Sequence, residues 1–155
     1  MMFSKLPVSD FDTWAPIADD PVRPGLSFEW RRRMGPIFCR GAFQDPDAVV
    51  CTATLPKVPT DVRDIVNLKH QSNWEHNKIV VAYTVWSYKP RAGRQIIFDL
   101  RDWAMDNEYE RLVTLSPKTE MAHRFHINNG AWLLRDNEDS RNYEYDLQQL
   151  TLDLK

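Results

Sequence analysis

The sequence predicts a mixed α/β domain in which helices flank a central, mostly antiparallel sheet. Three observations lead there. Between Lys78 and Ala131 the chain reads as strand, basic turn, helix, strand, helix, an order that joins its strands through a crossover. Around that stretch, β-rich apolar runs come in pairs separated by polar turns, as in antiparallel hairpins. At 155 residues the chain is long enough to bury roughly two thirds of its unfolded surface around a single core, so one domain is expected over residues 1–155.

The N-terminal 35 residues, with Pro36 just beyond them, carry five of the ten prolines: Pro7, Pro16, Pro21, Pro24 and Pro36. Residues 1–25 therefore read as an irregular, proline-rich arm, broken at most by a short helix within SDFDTWAPIADD capped by Ser9. LSFEWRRRM reads as a first strand with Leu26, Phe28 and Trp30 on one face, and Arg31 to Arg33 as its solvated end or as a contact for phosphate or an acidic partner. IFCRGAF and AVVCTATL form a hairpin around QDPD, placing Cys39 and Cys51 on neighbouring strands. Thr60 caps a short amphipathic helix through Val62, Ile65, Val66 and Lys69.

KIVVAYTVWS is the next strand. Its polar turn, YKPRAGR, feeds a helix with apolar residues at Ile96, Ile97, Leu100, Trp103 and Ala104. RLVTL is a short strand, followed by a helix whose Met121, Ala122 and Phe125 share a face and whose stop is Gly130. WLLRDN and NYEYDL close the domain as two strands about EDSR, the second fraying after Leu147.

Composition narrows the function classes. Apolar residues make up 43%, charged ones 27%, and the net charge is −2, which argues against a nucleic-acid or membrane binder. No apolar run approaches a membrane span, and MMFSKLPVSDF lacks a signal-peptide core, so a cytoplasmic address is expected. Two cysteines are too few for a disulfide framework or a structural zinc site, and both read as buried small hydrophobes. His70 and His76 lack a metal-ligand spacing, and no metal is expected. The basic feature is local: Lys89, Arg91 and Arg94 cluster at a helix start, where charge and helix dipole both favour a polyanion. The plainer alternative is a solvated basic turn.

Residues 78–147 resemble the GCN5-related N-acetyltransferase (GNAT) family. The later helix carries the resemblance best, with Ala122, Phe125, His126, Gly130 and Ala131 in register with the family pattern. In the phosphate-binding loop the last glycine is kept as Gly93, while Tyr88 occupies the first position and Arg91 replaces a glycine. The resemblance implies an acyl-CoA N-acyltransferase fold, acetyl-CoA as cosubstrate and an unidentified amine as acceptor. It implies Arg91, Gly93, Arg94 and Gln95 at the pyrophosphate, Trp86 and Ser87 along the pantetheine, and Thr119 where the family has Asn. Backbone N–H groups near Val85 to Ser87, where the strand splays from its neighbour, would hold the thioester oxygen.

His126 stands where the family has a general-acid tyrosine, and an imidazole of ordinary pKa near 6.5 suits protonation of a leaving thiolate; a hydrogen-bonded helix histidine is the plainer alternative. His123 is expected at the surface. No carboxylate lies in IVVAYTVWS to serve as general base; Glu75 and Glu29 are the nearest candidates, or a water chain takes the proton.

Two other readings stay open at this point. The same fold without chemistry would serve as a structural or assembly subunit, for example in a phage virion and as a homo-oligomer, with the aromatic, proline-rich arm wrapping a partner. A sensor that binds CoA or a nucleotide without turnover is the third.

Overall fold

A computed structural model describes residues 2–7, 13–71 and 74–147. Among the described residues seven strands form one sheet: β1 (Phe3–Lys5), β2 (Ile37–Ala42), β3 (Asp45–Leu55), β4 (Ile79–Ser87), β5 (Arg111–Thr114), β6 (Trp132–Asp136) and β7 (Arg141–Tyr145). Their order across the sheet is β1-β2-β3-β4-β5-β7-β6. Every pairing is antiparallel except β4 with β5, the pair that flanks the crossover. The helices are α1 (Phe28–Met34), α2 (Val62–Gln71), α3 (Ala92–Asp106) and α4 (Glu120–Asn128).

Each face of the sheet has its own core. Residues of α1 and α2 join Leu6, Trp14, Val81, Tyr83 and Trp86 on one face. On the other, Ile96, Ile97, Leu100 and Ala104 of α3 pack with Phe38, Val80, Leu112, Tyr143 and Tyr145. The apolar period of α3 read from the sequence is thus its buried stripe. Gly130 ends α4 with φ 99, and the N–H groups of Gly130 and Ala131 return to the carbonyls of Ile127 and His126. That pair of bonds is a Schellman stop, whose left-handed residue is usually glycine.

Residues 26–34 do not form the expected strand. Ser27 caps α1 by accepting the Trp30 N–H at 3.1 Å, and Phe28, Arg31 and Met34 are its buried residues. A three-residue period was present in the sequence but hidden, because its middle member is an arginine. Arg31 is not solvated: its side chain is wholly buried, and only Arg33 of the triplet is fully exposed, facing Glu29. The β2–β3 turn is also tighter than QDPD, since β3 already begins at Asp45. The α2 cap is Asp61 rather than Thr60; its Oδ1 accepts the Asp64 N–H at 2.7 Å.

Two described stretches of the N-terminal arm take regular structure. Phe3–Lys5 pairs with β2, and Ala15–Asp19 forms a 3-10 turn. The expected cap Ser9, and the end of the last strand beyond Leu147, lie outside the described residues. Cys39 and Cys51 are fully buried on neighbouring strands. Among the described residues no helix is long and apolar enough to cross a membrane, and no cluster of His, Cys, Asp and Glu could hold a metal.

Candidate functional site

The site begins with an irregularity in β4. Against β3, Cys51 pairs with Thr84 but Thr52 pairs with Ala82, so Tyr83 is one residue too many. A bulge of this kind resets the alternation of side chains. Before it Val81 and Tyr83 face the α1–α2 core; after it Trp86 does, while Val85 turns to the α3 side.

On its other edge β4 pairs with β5 only over Ile79–Ala82, with one further bond from the Leu115 N–H to the Ala82 carbonyl. From Tyr83 onward the two strands part, earlier than the Val85 to Ser87 region the sequence suggested. A cleft of about 620 Å³ occupies the opening. Its walls are β4 from Ala82 to Ser87, Leu115 to Pro117 after β5, Gly93 at the start of α3, and Ala122, Phe125 and His126 of α4. Pro21 and Val22 of the N-terminal arm close one side.

A side chain replaces the missing sheet bonds. Arg23 donates from Nε to the Tyr83 carbonyl at 2.8 Å and from Nη2 to the Leu115 carbonyl at 3.0 Å, bridging the parted strands. Burial lowers its pKa, with Asp20 and then Tyr83 opposing. The arm is locked in turn by Asp20, whose Oδ1 accepts the Thr84 hydroxyl at 2.8 Å and the Val22 and Arg23 N–H groups. Asp20 Oδ2 meets Arg31 Nη1 at 2.7 Å. No local motif marks these contacts, whose partners lie as far as 92 positions apart.

At the mouth, Arg91 caps α3 with φ 68, taking the left-handed conformation that a glycine would supply without strain. The Ala92 N–H returns to Lys89 and the Gln95 N–H to Arg91. Those of Gly93 and Arg94, in the first helical turn, have no carbonyl within the helix to reach, which suits an anion. A side chain on Gly93 would meet Phe125 at 3.4 Å and Ser87 Oγ at 3.6 Å, so its absence keeps the cleft floor open. Of the three cations, Lys89 is paired with Asp47 at 2.7 Å and Arg94 lies over the Phe98 ring; Arg91, Arg94 and the neighbouring Gln95 are all exposed.

Trp86 is buried and donates to the Tyr88 hydroxyl at 3.1 Å, which meets Asp19 Oδ2 at 2.6 Å. Partial burial and then the Asp19 carboxylate push Tyr88 up to about 12. Thr119 lines the cleft and caps α4 by accepting the Ala122 N–H at 3.2 Å.

His126 lies on the cleft wall with both ring nitrogens occupied: Nε2 faces Ser116 Oγ at 3.1 Å and Nδ1 faces the Tyr145 hydroxyl at 2.8 Å. Burial pushes its pKa down to about 4, so the ring is neutral at neutral pH and departs from the ordinary value assumed for a cationic acid. His123 is half-buried rather than surface-bound, its Nδ1 2.8 Å from the Tyr143 hydroxyl. Among the described residues no carboxylate lines the cleft; Glu29 lies on α1 beside Arg33, and Glu75 belongs to a 3-10 turn outside the cleft walls. The sequence reading missed Arg23, Tyr83 and Ser116.

The fold has close structural counterparts. An acetyltransferase from Bacillus subtilis in complex with CoA superposes with a TM-score of 0.64 at 9% identity, over 93% of this chain and 97% of that one. An N-acetyltransferase from Staphylococcus aureus gives a TM-score of 0.58 at 12% identity, over 94% and 98% of the two chains. A Salmonella typhimurium protein described as a putative acetyltransferase with its cofactor acetyl-CoA gives 0.55 at 11% identity, over 93% and 91%. No protein-family model matches the sequence, and no curated protein matches it. At these identities the likeness establishes the architecture, and chemistry has to be argued from the cleft.

Proposed function

We propose that this chain, whose fold is that of the GNAT acetyltransferases, binds acetyl-CoA between β4 and β5 and transfers the acetyl group to an amine. The observation that carries the reading is the parting of β4 from β5 at Tyr83 beside the start of α3. It gives one elongated ligand a strand edge, an apolar channel and an anion-binding helix terminus in sequence. Two of the neighbours were crystallised with CoA or acetyl-CoA.

In this reading the N–H groups of Gly93 and Arg94 take the pyrophosphate, Arg91 adds a mobile positive charge, and Gln95 reaches the same phosphates from the exposed first turn. Trp86 and Ser87 flank the pantetheine as β4 turns outward. Thr119 contributes mainly by starting α4 at the correct point on the opposite wall. His126 works as a neutral, hydrogen-bonded ring rather than as an imidazolium.

The amine attacks the thioester carbonyl carbon, the C–S bond breaks, CoA leaves as a thiolate that takes its proton from water, and the amine proton is lost to water, since no described residue lining the cleft is a carboxylate. That proton balance makes the rate depend on the acceptor's own ionisation. Calorimetric titration with acetyl-CoA tests the cofactor, and thiol release over a panel of amines tests transfer. Saturable binding with amine-dependent release is expected; no binding at millimolar ligand overturns the proposal. A sensor would bind without release. The reading as a virion or assembly subunit gains no support from the structural likenesses, and part of the arm invoked for it is bonded to the chain's own strands.

A further inference from the structure

We propose that Ser116, rather than His126, is the catalytic donor in this cleft, its hydroxyl proton aimed at the thioester carbonyl oxygen. The inference rests on the acetyl-CoA reading and adds to it a residue and a direction of hydrogen bonding.

Ser116 follows β5 at the place where the strands part, and it lines the cleft. Its backbone is fixed on both sides: its N–H donates to the Arg141 carbonyl at 2.8 Å, and its carbonyl accepts the Arg141 N–H at 2.9 Å. The side chain is therefore carried on a rigid bridge. Its oxygen lies 2.8 Å from Thr114 Oγ1 and 3.1 Å from His126 Nε2.

A hydroxyl has one proton and two lone pairs, so two such neighbours decide where the proton goes. Thr114 Oγ1 already accepts the Tyr143 N–H at 3.1 Å, and the proposal gives its own proton to Ser116 Oγ. In the same assignment Tyr145, 2.8 Å from His126 Nδ1, donates its phenolic proton to that nitrogen. The ring proton then sits on Nε2 and is given to Ser116. Both lone pairs of Ser116 are filled, and its O–H is left for the cleft.

The assignment agrees with the electrostatics of the wall. Burial keeps the His126 ring neutral and holds the Tyr145 phenol protonated, so the chain of donors is stable across neutral pH. Negative charge building on the thioester oxygen would meet a preorganised donor in a largely apolar cleft with no carboxylate among its described lining residues. Tyr145 and His126 are positioning residues here, since neither has a free polar atom for the substrate.

The opposite tautomer would make Nε2 an acceptor and Ser116 a nucleophile. In that case Ser116 Oγ would bond to the acyl carbon, its proton would pass to His126, and CoA would leave with that proton to give an acyl-enzyme. The two tautomers predict different products on the protein.

The test uses acetyl-CoA labelled with carbon-13 at the carbonyl, followed by infrared difference spectroscopy on the full chain. On binding to the wild type the carbonyl stretch is expected to move to lower frequency. In Ser116→Ala that shift is expected to be lost while calorimetric affinity changes less than about threefold; in Ser116→Cys, a weaker donor, it should be intermediate. With an amine that is turned over, Ser116→Ala should lower kcat about 10²-fold with KM little changed.

Binding with the same carbonyl stretch in wild type and Ser116→Ala overturns the proposal and leaves the cofactor reading intact. A stable acetyl adduct on Ser116, seen by intact-protein mass spectrometry, also overturns it in favour of the nucleophile. Absence of acetyl-CoA binding to the wild type overturns the cofactor reading itself, and the proposal with it. Should Ser116→Ala fail to fold, the Ser116→Cys spectrum decides.

Discussion

Arg31 Nη1 and Asp20 Oδ2 lie 2.7 Å apart with neither side chain exposed to solvent. Arg31 also donates to the Leu26 and Arg23 carbonyls, and Asp20 holds Thr84 of β4. The pair ties α1, the arm and the cleft wall into one unit. Removing a single partner of such a pair strands a buried charge, at a cost of about 3–5 kcal/mol. Asp20→Ala should therefore lower stability by that amount in urea unfolding, and a double replacement by apolar residues should recover much of it. A loss below about 1 kcal/mol for the single variant would show that the pair is dispensable.

The strained cap at Arg91 predicts a trade between stability and binding. Arg91→Gly releases a left-handed non-glycine backbone worth about 1 kcal/mol, while removing a cation from the mouth. Thermal melting should rise slightly and acetyl-CoA affinity should fall, more so at low salt. A glycine variant that binds as tightly as wild type would remove Arg91 from the pyrophosphate site.

Gly93 gives a sharper separation. Its Cβ would find room, so Gly93→Ala should fold normally, but Gly93→Val places branched bulk between Phe125 and Ser87. The valine variant is expected to lose more than about tenfold in acetyl-CoA affinity while unfolding within about 1 kcal/mol of wild type. Equal affinities would place the ligand elsewhere.

His126 makes stability depend on pH. Its pKa in the fold is about 4 against 6.5 in the unfolded chain, so the unfolded chain binds the proton more readily between those values. The contribution is complete above pH 6.5 and is lost as pH falls toward 4, to a total of roughly 3 kcal/mol. Melting curves across that window should flatten in His126→Gln; an unchanged slope would assign the acid sensitivity to other groups.

Burial pushes Cys39 up to about 11 and Cys51 up to about 12. Native protein at pH 8 should resist alkylation at both thiols, and denatured protein should react at both, as mass spectrometry would show. Rapid labelling of the native chain would mean that the sheet opens at β2 or β3.

The crossover unit from Lys78 to Ala131 was legible because its signals are local: a β-rich run, a basic turn and a helical stripe each announce themselves within a dozen residues. The closing hairpin and the Gly130 stop were legible for the same reason. Segment 26–34 was misread because an inward arginine hides the helical period, and only its distant partner Asp20 explains why it points in. Gly93 and Thr119 could be placed by register, but Arg23 and Ser116 could not. Their roles depend on a carbonyl or hydroxyl oxygen becoming available when two strands part, and nothing in either residue's neighbourhood states that. The extra residue at Tyr83 was invisible too, since it is defined only against β3.

That extra residue carries a consequence for engineering. Deleting Tyr83 would remove the bulge and restore regular alternation along β4, so the side chains beyond the cut would keep their sides. Trp86 would still face the α1–α2 layer and Val85 the α3 layer, while the α1–α2 core would lose the Tyr83 ring. Flattening the bulge while keeping all of β4 is what would exchange the sides, so the layer that supplies the aromatic surface depends on Tyr83 having no partner of its own in β3.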